Sequence, residues 1–150
     1  MLRVLQSIEG KNVDAEKKAK VQVKRGTFIK VNEATGQFEP AANLAEVNGI
    51  VNKDFTITQE SAMGLAVSDY DVTQDTIQAG EFGLVVTLLP NEMYATTEYG
   101  NLTDVQAAAG KYLTVENGKL VASEEATTLL SLGWIMDAGL HKLLGFKVLK

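Results

Sequence analysis

The 150-residue sequence contains no cysteine, one histidine, one tryptophan and two prolines. Without cysteine there is neither a disulfide framework nor a thiolate metal site, and nothing marks a redox compartment. A lone histidine leaves little for nucleophilic catalysis, since no serine stands in a glycine elbow and no cysteine is available to pair with it. That residue, His141 in Gly139-Leu-His-Lys-Leu-Leu-Gly145, reads as a structural or surface residue of a closing strand or hairpin. Long apolar runs are missing too. The densest, Leu84-Val-Val-Thr-Leu-Leu89, falls far short of the roughly 18 residues a membrane span requires. The start, Met1-Leu-Arg-Val-Leu-Gln-Ser-Ile8, has one basic side chain and an apolar stretch broken by Gln6 and Ser7, too short for a signal peptide. A soluble, unprocessed chain is expected. Its length fits one domain able to bury about 70% of the surface it exposes when unfolded.

Net charge is −5, unevenly spread. Residues 1–25 hold seven basic and three acidic side chains, whereas residues 31–104 hold Lys53 against twelve acids. A basic segment on an acidic body is a poor nucleic-acid binder, because phosphate contacts need a basic face on the folded part. It suits an arm that meets an acidic neighbour, or a solvated tail. The apolar head Leu2, Val4, Leu5 and Ile8 is followed by the polar stretch Gly10-Lys-Asn-Val-Asp-Ala-Glu-Lys-Lys-Ala-Lys20, which carries too little apolar surface to offset its ordering entropy. Residues 1–20 are therefore expected to be an N-terminal arm, and 21–150 a single β-rich domain.

From Val21 onward the pattern is that of strands. Gly26-Thr-Phe-Ile-Lys-Val-Asn-Glu-Ala-Thr-Gly36-Gln-Phe-Glu-Pro40 predicts a strand, a turn ending in glycine and a returning strand that Pro40 terminates. The pattern recurs as Gly110-Lys-Tyr-Leu-Thr-Val-Glu-Asn-Gly118-Lys-Leu-Val-Ala, whose first glycine lies 84 residues after Gly26. Only the turn is expected to require glycine, at a residue of positive φ. The spacing continues from Gly36 to Gly49-Ile-Val and from Gly118 to Gly133-Trp-Ile, so two related halves are predicted. Two copies are too few for a solenoid. Further strands are expected at 49–52, 62–67, 76–78 and 82–89, and short helices at Ser123–Leu130 and Pro40–Glu46. The predicted fold is mainly β: a compact barrel or sandwich with two similar hairpin units, one or two short helices and an extended N-terminal arm.

Chemistry is sparse. Asp69, Asp71 and Thr73 alternate as at the start of a calcium loop, but Gln74 and Gly80 stand where an EF-hand needs glycine and glutamate, so a turn is the better reading. Gly80-Glu-Phe-Gly83 lacks the lysine and the following helix of a phosphate loop. Nothing singles out a carboxylate pair for glycoside hydrolysis, although a hydrolase using acids from residues 60–104 stays open. No catalytic residue, cofactor or metal site is assigned. Phe28, Phe38, Tyr112 and Trp134 read as core. Tyr94 and Tyr99, flanking Ala95-Thr-Thr-Glu98, are candidates for an interface or for cover over a core edge.

The phrase Lys24-Arg-Gly-Thr-Phe-Ile-Lys-Val-Asn, the turn to Gly36-Gln-Phe, the Ala-rich link, Asn48-Gly-Ile-Val and Gln78-Ala-Gly-Glu-Phe-Gly-Leu-Val-Val together resemble the small capsid decoration, or head cement, proteins of tailed bacteriophages. The resemblance covers most of residues 21–135, and it is one of pattern with no signature motif. It implies a non-enzymatic virion structural protein, made in the host cytoplasm and carried on the capsid exterior, where it stabilises the shell. The implied partners are the major capsid protein and neighbouring decoration subunits, a homotrimer being one arrangement; nucleic acid and membrane are not among them. The implied interface residues are Leu2, Arg3, Val4, Leu5 and Ile8 of the arm, with Tyr94 and Tyr99. An alternative is a carbohydrate- or cell-surface-binding β module of a phage tail or fibre.

Overall fold

The computed structural model describes residues 1–8, 13–53, 75–137 and 141–149. Thirteen strands follow along these residues: β1 (Leu2–Gln6), β2 (Val13–Ala19), β3 (Val23–Lys24), β4 (Phe28–Asn32), β5 (Gln37–Pro40), β6 (Gly49–Asn52), β7 (Thr76–Ile77), β8 (Phe82–Val86), β9 (Met93–Thr96), β10 (Tyr112–Glu116), β11 (Lys119–Ala122), β12 (Leu129–Asp137) and β13 (His141–Val148). A single 3-10 turn, Leu44–Glu46, begins at Asn43, whose side chain accepts a hydrogen bond from the Glu46 N–H.

The first half is a closed five-stranded barrel in the order β2-β5-β4-β6-β8. Four of its pairings are antiparallel, and β2 with β5 is parallel. Its interior is Ala19, Ile29, Phe38, Val51 and Val85, joined by Val23 and Ile77 from the small β3-β7 pair. The sequence shows how this core is layered. Neighbouring side chains of a strand point to opposite faces, and β4, β6 and β8 each place two apolar residues in succession: Phe28-Ile29, Ile50-Val51 and Val85-Val86. One of each pair enters the barrel; Phe28, Ile50 and Val86 face outward and are buried by the second half.

The second half repeats this connectivity. β10 pairs with β11 and β12, β12 with β13, and β13 with β9, all antiparallel, as their counterparts do in the first half. A parallel bridge between Tyr99 and Leu120, with Leu120 N–H donating to Glu98 O and Gly100 N–H to Leu120 O, joins the end of β9 to β11, as β2 joins β5. The backbone bonds agree in detail. Gly26 N–H donates to Val51 O and Val51 N–H to Thr27 O in one half; Gly110 N–H donates to Ser131 O and Ser131 N–H to Lys111 O in the other. β1 adds to the outer side of β9, giving a six-stranded sheet in the order β1-β9-β13-β12-β10-β11.

The halves meet through one turn and one shared core. The β10-β11 turn seats on the first half: Phe28 N–H donates to Gly118 O, Gly118 N–H to Ala41 O and Asn117 N–H to Ala42 O. Behind it Phe146 packs between Phe28 and Tyr94, with ring centroids 5.3 and 5.8 Å away.

Several expectations are corrected. The described parts of residues 1–20 are not a separate arm: β1 belongs to the large sheet and β2 to the barrel. Composition misled because the backbone ladder, with few side chains, orders them. The arm's basic charge is also met within the chain, Lys17 reaching Glu33 and Lys20 reaching Glu39 at 2.6 Å each. Hydrogen bonding to Glu33 raises the Lys17 pKa above its ordinary value. Ser123–Leu130 is no helix. Ser123 Oγ accepts from the Glu125 N–H in a tight turn, and Leu129 and Leu130 open β12. The leading glycines Gly26 and Gly110 have φ of +90° and +86°, so left-handed backbone is needed there as well as in the turns. Gly133 is not the counterpart of Gly49. The residues opposite Phe28 and Tyr112 are Ile50 and Leu130, and Gly133 sits at a bulge in β12. The strand expected at 62–67 and all of the Asp69–Asp75 stretch except Asp75 lie outside the described residues.

Candidate interaction surface

β1 is the edge of the six-stranded sheet. Register with β9 runs from Leu2 opposite Thr96 to Val4 opposite Tyr94, then shifts at a bulge before Gln6. The strand is pinned at both ends. At its start the Met1 ammonium lies 2.8 Å from both Asp75 carboxylate oxygens and donates to Thr97 Oγ1 at 2.7 Å and to Arg25 O. Burial is the dominant influence on that ammonium and lowers its pKa, against the pull of Asp75. Beyond its end the Ile8 N–H donates to Glu92 Oε1 at 3.0 Å. Glu92 is fully buried, and its other oxygen accepts from Leu89 N–H and from the Tyr94 hydroxyl, both at 2.9 Å.

Between these anchors the strand turns apolar side chains to solvent. Leu2 is buried with Met1, but Val4, Leu5 and Ile8 are 51%, 41% and 49% exposed, and Arg3 is exposed beside them. An edge strand carrying such residues offers backbone groups and apolar contacts together, the combination used in strand addition. Of the residues expected at an interface, Arg3, Val4, Leu5 and Ile8 are thus brought together on one edge, while Leu2 serves the core.

Tyr94 is not on this surface. It is fully buried, and burial, with Glu92 adding, raises its hydroxyl pKa well above the ordinary tyrosine value. Tyr99 lies elsewhere, half-buried, its hydroxyl donating to Lys142 O. Its ring packs edge-to-face with that of Trp134, centroids 5.0 Å apart, and Lys142 Nζ stands 3.9 Å from the Trp134 ring centroid. Asp104 completes the group, accepting from Trp134 Nε1 at 2.9 Å and from Lys142 Nζ at 3.3 Å. Sequence reasoning missed this cluster because its members are far apart in the chain. It placed Trp134 and Tyr112 in the core, whereas Trp134 is half-buried and Tyr112 exposed.

Lys142 and Trp134 together hold the Asp104 carboxyl below its ordinary pKa of 3.8. A depressed carboxylate contributes above the unfolded pKa and loses its contribution as pH falls through the folded one. The emission of Trp134, the sole tryptophan, should therefore stay constant from neutral pH to pH about 5 and change only below 3.8. Asp104→Asn should remove that acid transition in a fluorescence titration; a transition that persists would detach it from this carboxylate.

Among the described residues no group of His, Asp and Glu side chains is placed to hold a metal ion. His141 lies at the start of β13, opposite Asp137 in the ladder. No helix of the described residues is long and apolar enough to cross a membrane. Fold and surface together define a closed five-stranded β-barrel joined to a six-stranded sheet of like strand connectivity, with an apolar edge strand. No protein-family model matches the chain, and no curated protein or solved structure is found similar to it.

Proposed function

We propose that this chain is a non-enzymatic virion structural protein, a capsid decoration protein that binds the outer capsid surface and stabilises the shell. The observation that carries the reading is the edge strand β1 and the residues just after it, where Val4, Leu5 and Ile8 are exposed on a barrel-and-sheet body whose other well-specified residues are turn and core positions. The resemblance of the sequence pattern to head cement proteins is its other support. The partner is the major capsid protein, approached by strand addition along β1, and many weak attachments across the lattice sum to firm binding. The protein acts on the capsid exterior after synthesis in the host cytoplasm, without catalytic residue, cofactor, metal, nucleic acid or membrane.

Because β1 and β2 belong to the body, deleting residues 1–20 would test folding more than binding. Val4→Glu/Leu5→Glu/Ile8→Glu alters exposed side chains alone. Co-sedimentation with expanded phage heads should fall at least about tenfold, the equivalent of 1.4 kcal/mol, with the circular dichroism spectrum unchanged. Equal binding by the triple variant would defeat the proposal.

A second reading, a carbohydrate-binding module of a tail or fibre, is favoured by the open groove of about 320 Å³ that Tyr99 and Trp134 line. Against it, Lys142 covers a face of Trp134 on which a sugar would stack. Binding on a glycan array that is lost in Trp134→Ala would favour this module over the capsid protein.

A further inference from the structure

The two halves are alike in connectivity but unlike in what covers them. In the first, the groove formed by the leading glycine, the start of β4 and the end of β5 is filled by the β10-β11 turn of the second. Gly118 sits so close that an added Cβ would lie 2.6 Å from Thr27 Cγ2 and 3.0 Å from Pro40 Cβ. Phe28 is consequently fully buried.

The corresponding groove of the second half is open. It has a volume of about 490 Å³ and is lined by Gly110, Lys111, Tyr112, Ala122, Ser123 and Glu124, which occupy the positions of Gly26, Thr27, Phe28, Pro40, Ala41 and Ala42. Its frame is already set, because Ser123 N–H donates to Tyr112 O as Ala41 N–H does to Phe28 O, each at 3.0 Å. Tyr112, the counterpart of the buried Phe28, is 36% exposed. The face beside it carries half-buried Leu130 and Lys147, the counterparts of Ile50 and Val86, which the first half buries against its neighbour.

A turn of the matching kind with an exposed tip exists as well. The β4-β5 turn, from Asn32 to Gln37, is the counterpart of Glu116 to Lys119, with two more residues in its loop. Its Gly36 has φ of +64° and no other group within 4 Å of an added Cβ. The turn is held from behind by β2, Lys18 N–H donating to Gly36 O and Lys17 reaching Glu33, while Glu33, Ala34 and Thr35 are exposed. Each chain therefore carries one filled groove, one open groove and one turn with an uncovered tip. We propose that the open groove beside Tyr112 receives the β4-β5 turn of a second copy of this chain, so that copies associate head to tail by the contact already present between the halves. Such an interface is heterologous, and it closes into a ring or extends as a filament according to the rotation between copies.

The internal contact supplies the test. Asn117 N–H bonds Ala42 O across it; the counterparts of these residues are Thr35 and Glu124. Because the chain has no cysteine, Thr35→Cys and Glu124→Cys chains can be mixed under mild oxidation. A disulfide-linked dimer containing one chain of each kind is expected, several-fold above a mixture of Gln6→Cys with Glu124→Cys, and the double variant Thr35→Cys/Glu124→Cys should give a ladder or closed rings. Adding Tyr112→Glu to the Glu124→Cys chain should return the yield to the control level while leaving the circular dichroism spectrum unchanged. A yield no higher than the control would overturn the proposal. So would Glu124→Cys chains that cross-link among themselves as fast as with Thr35→Cys, since that indicates a two-fold contact. The assay contains no capsid, so it succeeds or fails independently of shell binding.

Discussion

Gly118→Val should be among the most damaging single substitutions in this protein, and Gly36→Val, at the matching position of the other half, should be far milder. Both residues have left-handed backbone, with φ of +77° and +64°, so both substitutions incur the cost of placing a side chain there, about 1–2 kcal/mol. Only Gly118 is also hemmed in, by Thr27 Cγ2, Pro40 Cβ and Phe28 O at 2.6 to 3.1 Å from the added Cβ. Two of those neighbours are backbone or ring atoms that cannot swing aside, so overpacking adds about 1–3 kcal/mol. The total for Gly118→Val is about 2–5 kcal/mol, read as the shift in a urea unfolding midpoint at unchanged slope. Equal losses at the two glycines would mean that the turn is not wedged between the halves.

The second large effect is expected at Phe146. Its fully buried ring touches Phe28 from the first half and Tyr94 from the second, and truncation to alanine opens a cavity that neither neighbour can fill without moving a strand. Phe146→Ala should cost about 3–5 kcal/mol, lowering the melting temperature by about 6–20 °C for a chain of this size. The shape of the transition is as informative as its position. Phe28, Ile50 and Val86 share one core with Leu113, Leu129 and Leu144, so both the parent and the variant should melt in a single step by calorimetry. Two resolved steps would show that the halves are independent.

Much of this architecture is written in the sequence at the level of hairpins. Gly26 to Pro40 and Gly110 to Ala122 could be matched residue by residue, because turn glycines and alternating apolar residues are local signals. The layering lies in the doublets Phe28-Ile29, Ile50-Val51 and Val85-Val86, which mark strands buried on both faces and which a reading by period-two strand pattern passes over; Tyr112-Leu113 is followed in β12 and β13 by mixed positions such as Leu130-Ser131 and Phe146-Lys147. What escaped was whatever depends on partners distant in the chain. β1 and β2 are strands because β9 and β8 offer them ladders, and no property of Lys17-Lys18-Ala19-Lys20 announces that. Of the candidate surface, Val4, Leu5 and Ile8 stand in the sequence together with Leu2 as one apolar head, and only the ladder with β9 turns Leu2 inward and leaves the others exposed. Tyr94 could not be sorted from Tyr99, since both are tyrosines in one polar stretch and only Glu92 and Phe146 decide which of them is buried.

The two halves also differ in how far the chain must travel to complete them. In the second, the fourth and fifth strands form a hairpin, with Asp137 opposite His141, whereas in the first the corresponding contact brings Asn52 to Leu84. Local pairing closes sooner than distant pairing because less chain entropy is lost before contacts form. The second half is therefore the one with the lower entropic cost of closing these two strands. During synthesis Phe28 emerges 90 residues before its lid, Gly118, and 118 residues before its packing partner, Phe146, so the first barrel remains uncapped while that stretch is made. Chain growth from the N-terminus and assembly of the core run in opposite directions here, and the nascent first half is the interval in which an exposed apolar face is available to chaperones or to aggregation.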